Sequence, residues 1–489
     1  MIYDKLIFEF SKPGKIGYSL PKHEFRKYQL KDLKDNLRKQ EMILPEVTEL
    51  DCVRHYTNIS KKNFGVETGF YPLGSCTMKY NPKINEEVVK SFSFSKLHPY
   101  QPVSTIQGAL RMYYELQEAL SEISGLAEFT LNPYAGAHGE LVGLMIMKQY
   151  HISRKDFKRK KVIIPDSAHG TNPASTIFSG MEVIEIKSND QGMVDVEALK
   201  EVLSDEIAGM MLTNPNTIGI FEKDIIEITR LVHESGGLMY YDGANLNAML
   251  GQVRPGDMGF DIMHINLHKT FSTPHGGGGP GSGPVGVKNF LVDFLPNPRI
   301  KKLDDYYYIA NESKAIGQIS NIFGNYLVEL KAYSYILNLG KENLMNVGKY
   351  ATLNANYIRV KLSDYYKLPI KGNCMHEVVF DGLKDNPNDI KTLDVAKRLL
   401  DYGMHAPTIY FPLLFHQSIM IEPTETESLQ TINSFIEVMK KVAEEAKSDP
   451  EMLRNAPHET PISRTDEVFA ARKMIFTYKD YLDFMKNKE

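Results

Sequence analysis

The chain has 489 residues, roughly enough for two to four domains, and 42% of them are hydrophobic, which allows a sizeable core. Its net charge of −4 excludes the basic field that nucleic acid or an anionic membrane surface would attract. No apolar run reaches the ~20 residues that cross a bilayer, and the N-terminus shows no secretory signal, so we expect no membrane span.

The cysteines give a first indication of where the protein works. Cys52, Cys76 and Cys374 are odd in number and widely spaced. This spacing matches neither a disulfide framework nor a zinc site. We therefore expect free thiols, no bound metal and a reducing, cytoplasmic location.

Four regions follow one another along the chain. Residues 1–105 are polar and irregular, with a charged, helical stretch at 23–42, and are predicted to be an arm that covers a neighbouring subunit. Residues 106–300 alternate apolar and helical patterns and are predicted to be the large, cofactor-binding domain. Residues 301–445 are predicted to form a smaller α+β domain, and residues 446–489 a charged tail.

The second region carries the pattern of a parallel sheet. Continuous apolar runs at 162–164, 209–212, 238–241 and 262–265 predict buried strands. Apolar side chains at helical spacing predict a helix over 224–235. Strands that alternate with helices predict an α/β fold with a mainly parallel sheet covered on both faces.

A lysine follows the last of these strands. Burying an ammonium group is costly, so Lys269 in this position favours the neutral amine, which can act as a nucleophile. The glycines at 276–279 would let the backbone approach a ligand closely. The alternative is a surface lysine at a strand end. The first interpretation predicts that Lys269 carries pyridoxal 5'-phosphate (PLP) as a Schiff base.

An aspartate ends the strand at 238–241. Ligands of parallel sheets lie beyond the carboxyl ends of the strands, so Asp242 and Lys269 are expected to face one crevice. A carboxylate there can keep a pyridinium nitrogen protonated, so that the ring accepts electrons. The alternative is an aspartate that only caps the following helix.

Two further features fit the same cofactor. His169 follows the strand at 162–164 and can stack on the cofactor ring, although a lone histidine is often structural. A predicted helix that runs to Tyr150 begins with small residues whose N–H groups can bind a phosphate, unless this is an ordinary glycine-rich helix start. These residues are Ala135, Gly136, Ala137 and His138.

Long strings of the sequence resemble one enzyme family. They lie at 71–82, 98–102, 135–140, 166–172, 213–217, 242–247, 266–275 and 420–428. On these strings, the chain resembles the P-proteins of the glycine cleavage system, the glycine dehydrogenases (decarboxylating), nearly end to end. Its length and single PLP-lysine segment resemble catalytic subunit 2 of the split, two-subunit form.

The resemblance implies a fold and a reaction. The fold is that of the PLP-dependent transferases of the aspartate-aminotransferase type (fold type I), with a mainly parallel central sheet and a smaller α+β C-terminal domain. The reaction is the PLP-dependent decarboxylation of glycine, which releases CO2 and transfers the aminomethyl group to the lipoyl arm of H-protein.

The resemblance also implies roles for residues in the matching strings. The catalytic residues would be Lys269, Asp242 and His169. The cofactor would also contact Ala135, Gly136, Ala137, His138, Thr213, Ala244 and His268. Candidates for contact with the glycine carboxylate or the lipoyl arm, each equally compatible with a structural role, are Ser75, Cys76, His275 and His405.

The implied partners are proteins. They are a related P-protein subunit 1 in an α2β2 heterotetramer, the lipoylated H-protein and, indirectly, the T- and L-proteins. Two other functions stay open. One is a different fold type I PLP decarboxylase or an aminotransferase, which would need a pocket for a larger side chain. The other is a non-catalytic structural subunit, against which the presence of both Asp242 and Lys269 speaks.

Overall fold

The computed structural model of the chain describes residues 5–22, 24, 35–40, 42–275 and 281–487. The helical stretch predicted at 23–42 lies largely outside the described residues, and the glycines at 276–279 lie wholly outside them. Within the described ranges, no helix combines the length and the apolar character that a membrane span needs.

Contacts divide the chain into two compact units. One comprises Met1–Thr68 together with His458–Glu489, and the other comprises Gly69–Pro457. The larger unit thus includes part of the region that the sequence suggests is an arm. The domain boundaries placed at residues 105, 300 and 445 stay predictions.

The larger unit is built on a seven-stranded sheet. Its strands, in chain order, are β1 Glu128–Thr130, β2 Lys161–Pro165, β3 Glu182–Ile186, β4 Ile207–Thr213, β5 Leu238–Gly243, β6 Ile262–Ile265 and β7 Val285–Val287. The order across the sheet is β1-β7-β6-β5-β4-β2-β3. Strands β2 to β6 pair in parallel, and β7 pairs antiparallel with β6 and β1. The predicted α/β class with a mainly parallel sheet is confirmed.

Helices of the larger unit cover both faces of this sheet. In chain order, α1 to α15 are Glu49–Ser60, Lys83–Lys90, Phe92–Ser95, Gln107–Ser124, Gly136–Ser153, Thr171–Phe178, Val196–Val202, Ile225–Glu234, Leu267–Thr270, Tyr326–Leu362, Thr392–Asp401, Leu429–Ser448, Pro450–Arg454, Glu467–Arg472 and Tyr478–Lys486. Adjacent strand residues point to opposite faces, so Tyr241 packs in one core with Ile228 of α8, while Tyr240 packs in another with Val142 of α5. Both of these helices lie where the sequence predicts them.

Two smaller sheets complete the larger unit. Strands β8 Arg299–Leu303 and β9 Tyr306–Ala310 form an antiparallel pair. Strands β10 Val378–Asp381, β11 Thr408–Ile409 and β12 Ser418–Ile421 form an antiparallel sheet in the order β10-β12-β11. This sheet shares a core with α10, α11 and α12, which confirms the predicted α+β character of the C-terminal part.

The smaller unit is held by local capping and by ring contacts. Thr48 caps α1 by accepting the N–H of Asp51, whose carboxylate pairs with Lys15 at 2.7 Å. The rings of Phe8 and Tyr478 stack with their centroids 4.4 Å apart, which joins the two chain segments of this unit.

Candidate functional site

A cavity of about 220 Å³ lies at the carboxyl ends of the central strands. Thr213 ends β4, Asp242 lies near the end of β5, and Asn266 follows β6 directly; all three line this cavity. This edge is where parallel α/β sheets bind their ligands. Of the residues predicted for the site, the structure brings the following to the cavity wall: Ser75, Ala135, Gly136, Ala137, His169, Thr213, Asp242, Ala244, His268, Lys269 and His275.

The Asp242 carboxylate is buried and held by three donors. Oδ2 accepts hydrogen bonds from Nδ2 of Asn172 at 3.0 Å and from Oγ1 of Thr213 at 3.1 Å, and Oδ1 accepts the N–H of Ala244 at 2.9 Å. Burial alone would raise the pKa of Asp242, but the neighbouring His264 and these donors lower it. Asp242 is therefore a fixed negative charge at the bottom of the cavity.

His264 connects Asp242 to the core. Its Nε2 lies 3.3 Å from Oδ1 of Asp242, and its Nδ1 lies 3.0 Å from the hydroxyl of Tyr240. The Tyr240 hydroxyl also donates to the carbonyl of Gly139 at 3.2 Å. Asp242 and His264 are opposite each other in the register of β5 and β6, which is why their side chains meet.

His169 is oriented by the start of α6. Its Nδ1 lies 2.9 Å from the hydroxyl oxygen of Thr171 and 3.2 Å from the backbone nitrogen of Thr171. Burial, followed by the charge of Lys269, lowers the pKa of His169. The ring packs edge-on against Phe411, with the centroids 5.4 Å apart. A neutral imidazole in this position suits contact with an aromatic ligand.

Behind His169 lies a second buried carboxylate. Glu140 accepts the hydroxyls of Thr171 at 2.8 Å and Ser175 at 2.9 Å. Burial, followed by the charge of Asp242, raises the pKa of Glu140. The Glu140 carboxyl thus links α5 to α6 at the back of the cavity.

The first turn of α5 forms another part of the cavity wall. Ala135, the residue before the helix, has an extended backbone, and no side chain caps the helix. The first N–H groups of a helix lack partners within it, so this end suits a phosphate. A side chain at Gly136 would lie 2.6 Å from Oδ1 of Asn266, so only glycine permits the close approach seen here.

Two buried polar atoms of the wall have no partner among the described residues. They are Oδ1 of Asn266 and Nδ1 of His268. Burial, followed by the charge of Lys269, lowers the pKa of His268 to about 3, so this ring is neutral. Buried polar atoms without partners are costly, and these two therefore point to a polar ligand.

Lys269 is half-buried and lies on the short helix α9, whose position is fixed by the buried Lys79. Nζ of Lys79 donates to the carbonyl of Thr270 at 2.7 Å, to Oδ1 of Asn247 at 2.8 Å and to Oε1 of Glu425 at 2.7 Å. Within the described part of the chain, the Lys269 amine itself makes no hydrogen bond. It is therefore a free amine across the cavity from the first turn of α5.

The geometry fits PLP. An anion site at a helix N-terminus, a carboxylate beyond a strand end, a neutral imidazole and a free lysine amine are the four groups that the cofactor needs. They occur here around one cavity, with two unpartnered polar atoms in its wall.

Three predicted site residues do not line the cavity. The ring of His405 stacks on Tyr71 with the centroids 3.8 Å apart, and Nδ1 of His138 accepts the N–H of Tyr134. Cys76 is partly buried behind the wall, where burial raises its pKa. Their assigned roles stay predictions.

The sequence interpretation did not single out Glu140, Asn172, His264 or Asn266. His264 and Asn266 are two residues apart, so strand alternation places them on one face. The sequence contains this spacing, but His264 lies within an apolar run and Asn266 directly follows it, so neither residue is conspicuous.

Comparison with known proteins gives a consistent result. The family profile described as "Glycine cleavage system P-protein" matches residues 23–300, and the one described as "Glycine dehydrogenase, C-terminal domain" matches residues 347–458. A probable glycine dehydrogenase (decarboxylating) subunit 2 from Caldanaerobacter subterraneus subsp. tengcongensis is 58% identical over 97% of this chain and 99% of its own length. A protein of the same name from Alkaliphilus oremlandii is 56% identical over 98% of this chain and 99% of its own length.

The fold is also known from solved structures. A crystal structure of a glycine decarboxylase (P-protein) of the glycine cleavage system, in inhibitor-bound form, matches with a TM-score of 0.71 and 20% identity, over 84% of this chain and 94% of that one. At this identity the likeness shows the fold alone. The predicted fold, fold type I of the PLP enzymes, is confirmed.

Proposed function

The chain belongs to the glycine cleavage system P-protein family, and on this premise we propose that it decarboxylates glycine with PLP carried on Lys269. The observation that supports this most directly is the pairing of a free lysine amine with a fixed carboxylate. Lys269 and Asp242 line one cavity, and Asp242 is held by three donors.

Each group around the cavity has a role in this proposal. When bound, PLP supplies a protonated ring that accepts the electron pair left by the departing carboxyl group. Asp242 keeps a proton on the ring nitrogen, because its lowered pKa makes it a carboxylate at neutral pH. The neutral ring of His169 would pack against the cofactor ring. The first N–H groups of α5 would bind its phosphate.

The cavity wall also bears on the alternatives. None of its described lining residues is an arginine, the residue best suited to bind a second carboxylate of a larger amino acid. This favours glycine over the substrates of an aminotransferase. A non-catalytic subunit would not need the complete set of Lys269, Asp242 and the uncapped α5.

The partners follow from the family. We propose that the aminomethyl group passes to the lipoyl arm of H-protein, and that a related subunit 1 completes an α2β2 heterotetramer. The T- and L-proteins would then act on the products. The name "subunit 2" of the relatives supports a two-subunit enzyme. A reducing, cytoplasmic location is supported by the free thiols of Cys52, Cys76 and Cys374.

Chemical trapping tests the proposal. The purified chain is mixed with PLP and reduced with borohydride, and its peptides are analysed by mass spectrometry. We expect the phosphopyridoxyl group on the peptide that contains Lys269. Labelling of a different lysine, or of none, would contradict the proposal.

A further inference from the structure

Two buried glutamates meet at the end of the small sheet, outside the cavity. Glu377 directly precedes β10 and Glu422 directly follows β12, and the register pairs their neighbours Val378 and Ile421. Both glutamates are fully buried. The fully buried His376 faces them, with Nε2 at 3.7 Å from Glu377 and 3.9 Å from Glu422. Two like charges in adjacent positions destabilise a sheet, so this arrangement calls for an explanation.

The carboxylates hold one turn of the chain. Oε2 of Glu377 accepts the N–H of Ser75 at 2.9 Å. Oε2 of Glu422 accepts the N–H of Thr77 at 2.9 Å, and its Oε1 accepts the Thr77 hydroxyl at 2.6 Å. Ser75 and Thr77 have φ of 67° and 49°, a left-handed conformation that is unfavourable for residues other than glycine. The two glutamates stabilise this turn at its two most strained positions.

The turn lies between the carboxylates and the cavity. Ser75 lines the cavity together with Lys269. The charge of Lys269 also acts on Cys76, Glu377 and Glu422, so the glutamates lie within electrostatic range of the lysine amine. The turn therefore contacts the two buried carboxylates on one side and the cavity that Lys269 lines on the other.

We propose that Glu377 and Glu422 are positioning residues that hold the turn of residues 75–77 against the cavity beside Lys269. This inference rests on the proposed function for its meaning in catalysis, but the holding of the turn can be tested without the cofactor. Neither glutamate lines the cavity, so both act through Ser75 and the field at Lys269.

Thiol labelling tests the turn directly. Cys76 lies between Ser75 and Thr77, and the buried Cys374 of the same compact unit reports unfolding. The full chain is treated with a maleimide, and the labelling rate of each thiol is measured by mass spectrometry. In Glu422→Ala we expect the Cys76 rate to rise about tenfold while Cys374 stays protected. In the control Glu427→Ala, both rates should match the unmodified chain.

Variants of the hydroxyl donor refine this test. Thr77→Ser keeps the donor to Glu422, and Thr77→Val removes it while keeping the N–H. We expect normal Cys76 labelling in the serine variant and faster labelling in the valine variant. If the labelling rates of Cys76 and Cys374 rise together in Glu422→Ala, that variant is unfolded. The comparison of Thr77→Ser with Thr77→Val then decides the test instead. Equal Cys76 rates in the two Thr77 variants and the unmodified chain would overturn the proposal.

A spectroscopic measurement separates positioning from a merely structural role. In the cavity, the charge of Lys269 acts on His169, Asp242, His268 and His275, and behind the turn it acts on Cys76, His376 and the two glutamates. Burial raises the pKa of Glu422 to about 7 and raises that of Glu377 well above its usual range. At pH 8, Glu422 is therefore expected to be mostly charged.

The pH midpoint of the visible absorbance of bound PLP is measured in two variants of matched shape. Glu422→Gln removes a negative charge near Lys269, so we expect the midpoint to fall by about half a pH unit or more. The control Glu427→Gln lies outside the pair of glutamates, and its midpoint should stay unchanged. Equal midpoints in all three proteins would contradict the proposal.

Two further outcomes, failure of PLP binding and the presence of a metal ion, are distinguished from the results described above. If the unmodified chain binds no PLP on Lys269, the proposed function fails, while the thiol rates still test the turn. If elemental analysis of the purified chain finds one divalent ion per chain that is lost in His376→Ala, the cluster of His376, Glu377 and Glu422 is a metal site, and the positioning proposal is overturned.

Discussion

At the scale of single residues, the cavity depends on groups whose charge is fixed by their surroundings. Lys269 is predicted to anchor the cofactor, so Lys269→Ala should abolish both the borohydride-trapped adduct and turnover, because no other lysine is among the described residues that line the cavity. Mass spectrometry of the reduced protein measures the adduct. A trapped adduct that persists in the variant would show that another lysine is the anchor.

Replacing Asp242 with asparagine keeps the shape of the side chain and removes its negative charge. Asp242→Asn should fold, but turnover should fall by roughly three orders of magnitude or more, because an amide cannot keep the ring nitrogen protonated. Glycine–bicarbonate exchange in the complete system measures turnover, and the surface variant Asp293→Asn is the control. Near-normal exchange with PLP bound would exclude Asp242 from the mechanism.

At the scale of secondary-structure elements, buried ionic groups join segments that are distant in sequence. Lys79 connects the segment before α2 to the end of α9 and to Glu425. Lys79→Met should lower the free energy of unfolding by about 3–5 kcal/mol, because it leaves Glu425 without its partner. Urea denaturation measures this loss, and Lys90→Met on the exposed side of α2 should have little effect.

The double variant Lys79→Met with Glu425→Gln tests whether the unpaired charge of Glu425 causes the loss of stability. Because it removes both charges, it should recover part of the lost stability. If the double variant is no more stable than the single one, the loss comes from the neutral hydrogen bonds to Thr270 and Asn247 instead.

The first turn of α10 contains a carboxyl group that opposes folding at high pH. Burial raises the pKa of Glu329 to about 8, above its usual value of 4.5. A carboxyl group whose pKa is higher in the folded than in the unfolded state stabilises the folded protein at pH values below its unfolded-state pKa. This stabilisation is lost as the pH rises from about 4.5 to 8. Glu329→Gln should therefore be more stable than the unmodified chain at pH 8.5 by a few kcal/mol, with a much smaller gain at pH 5.

Urea denaturation at the two pH values measures this difference. Glu342→Gln, an exposed position in the part of α10 that follows the break at Gly340, is the control and should show no pH-dependent gain. An equal effect of Glu329→Gln at both pH values would mean that the carboxyl group is not protonated in the folded protein.

At the scale of the whole molecule, we expect this chain alone to be inactive or nearly so. The relatives' name "subunit 2" implies a partner subunit, which we expect to cover the cavity; without it the cavity would be open to water, which weakens the electrostatic stabilisation of a carbanion. The purified chain is assayed for glycine–bicarbonate exchange with lipoylated H-protein, with and without subunit 1. Full activity without subunit 1 would contradict the prediction.

The sequence alone determined the α/β class and the central strands, and it predicted that Lys269 and Asp242 face one crevice, where the structure places both. Each of these depends on local periodicity and on the rule that ligands bind at strand ends, so a short window contains the information. The first turn of α5 could also be predicted from a short window, because small residues before a helical pattern mark an uncapped helix start.

Only the tertiary structure decided which distant residues complete the site. His264 faces Asp242 because of the register between β5 and β6, and Glu377 meets Glu422 because β10 pairs with β12. Register depends on the packing of whole faces, which no short window contains. For the same reason the sequence could not show that His405 stacks on Tyr71, away from the cavity wall.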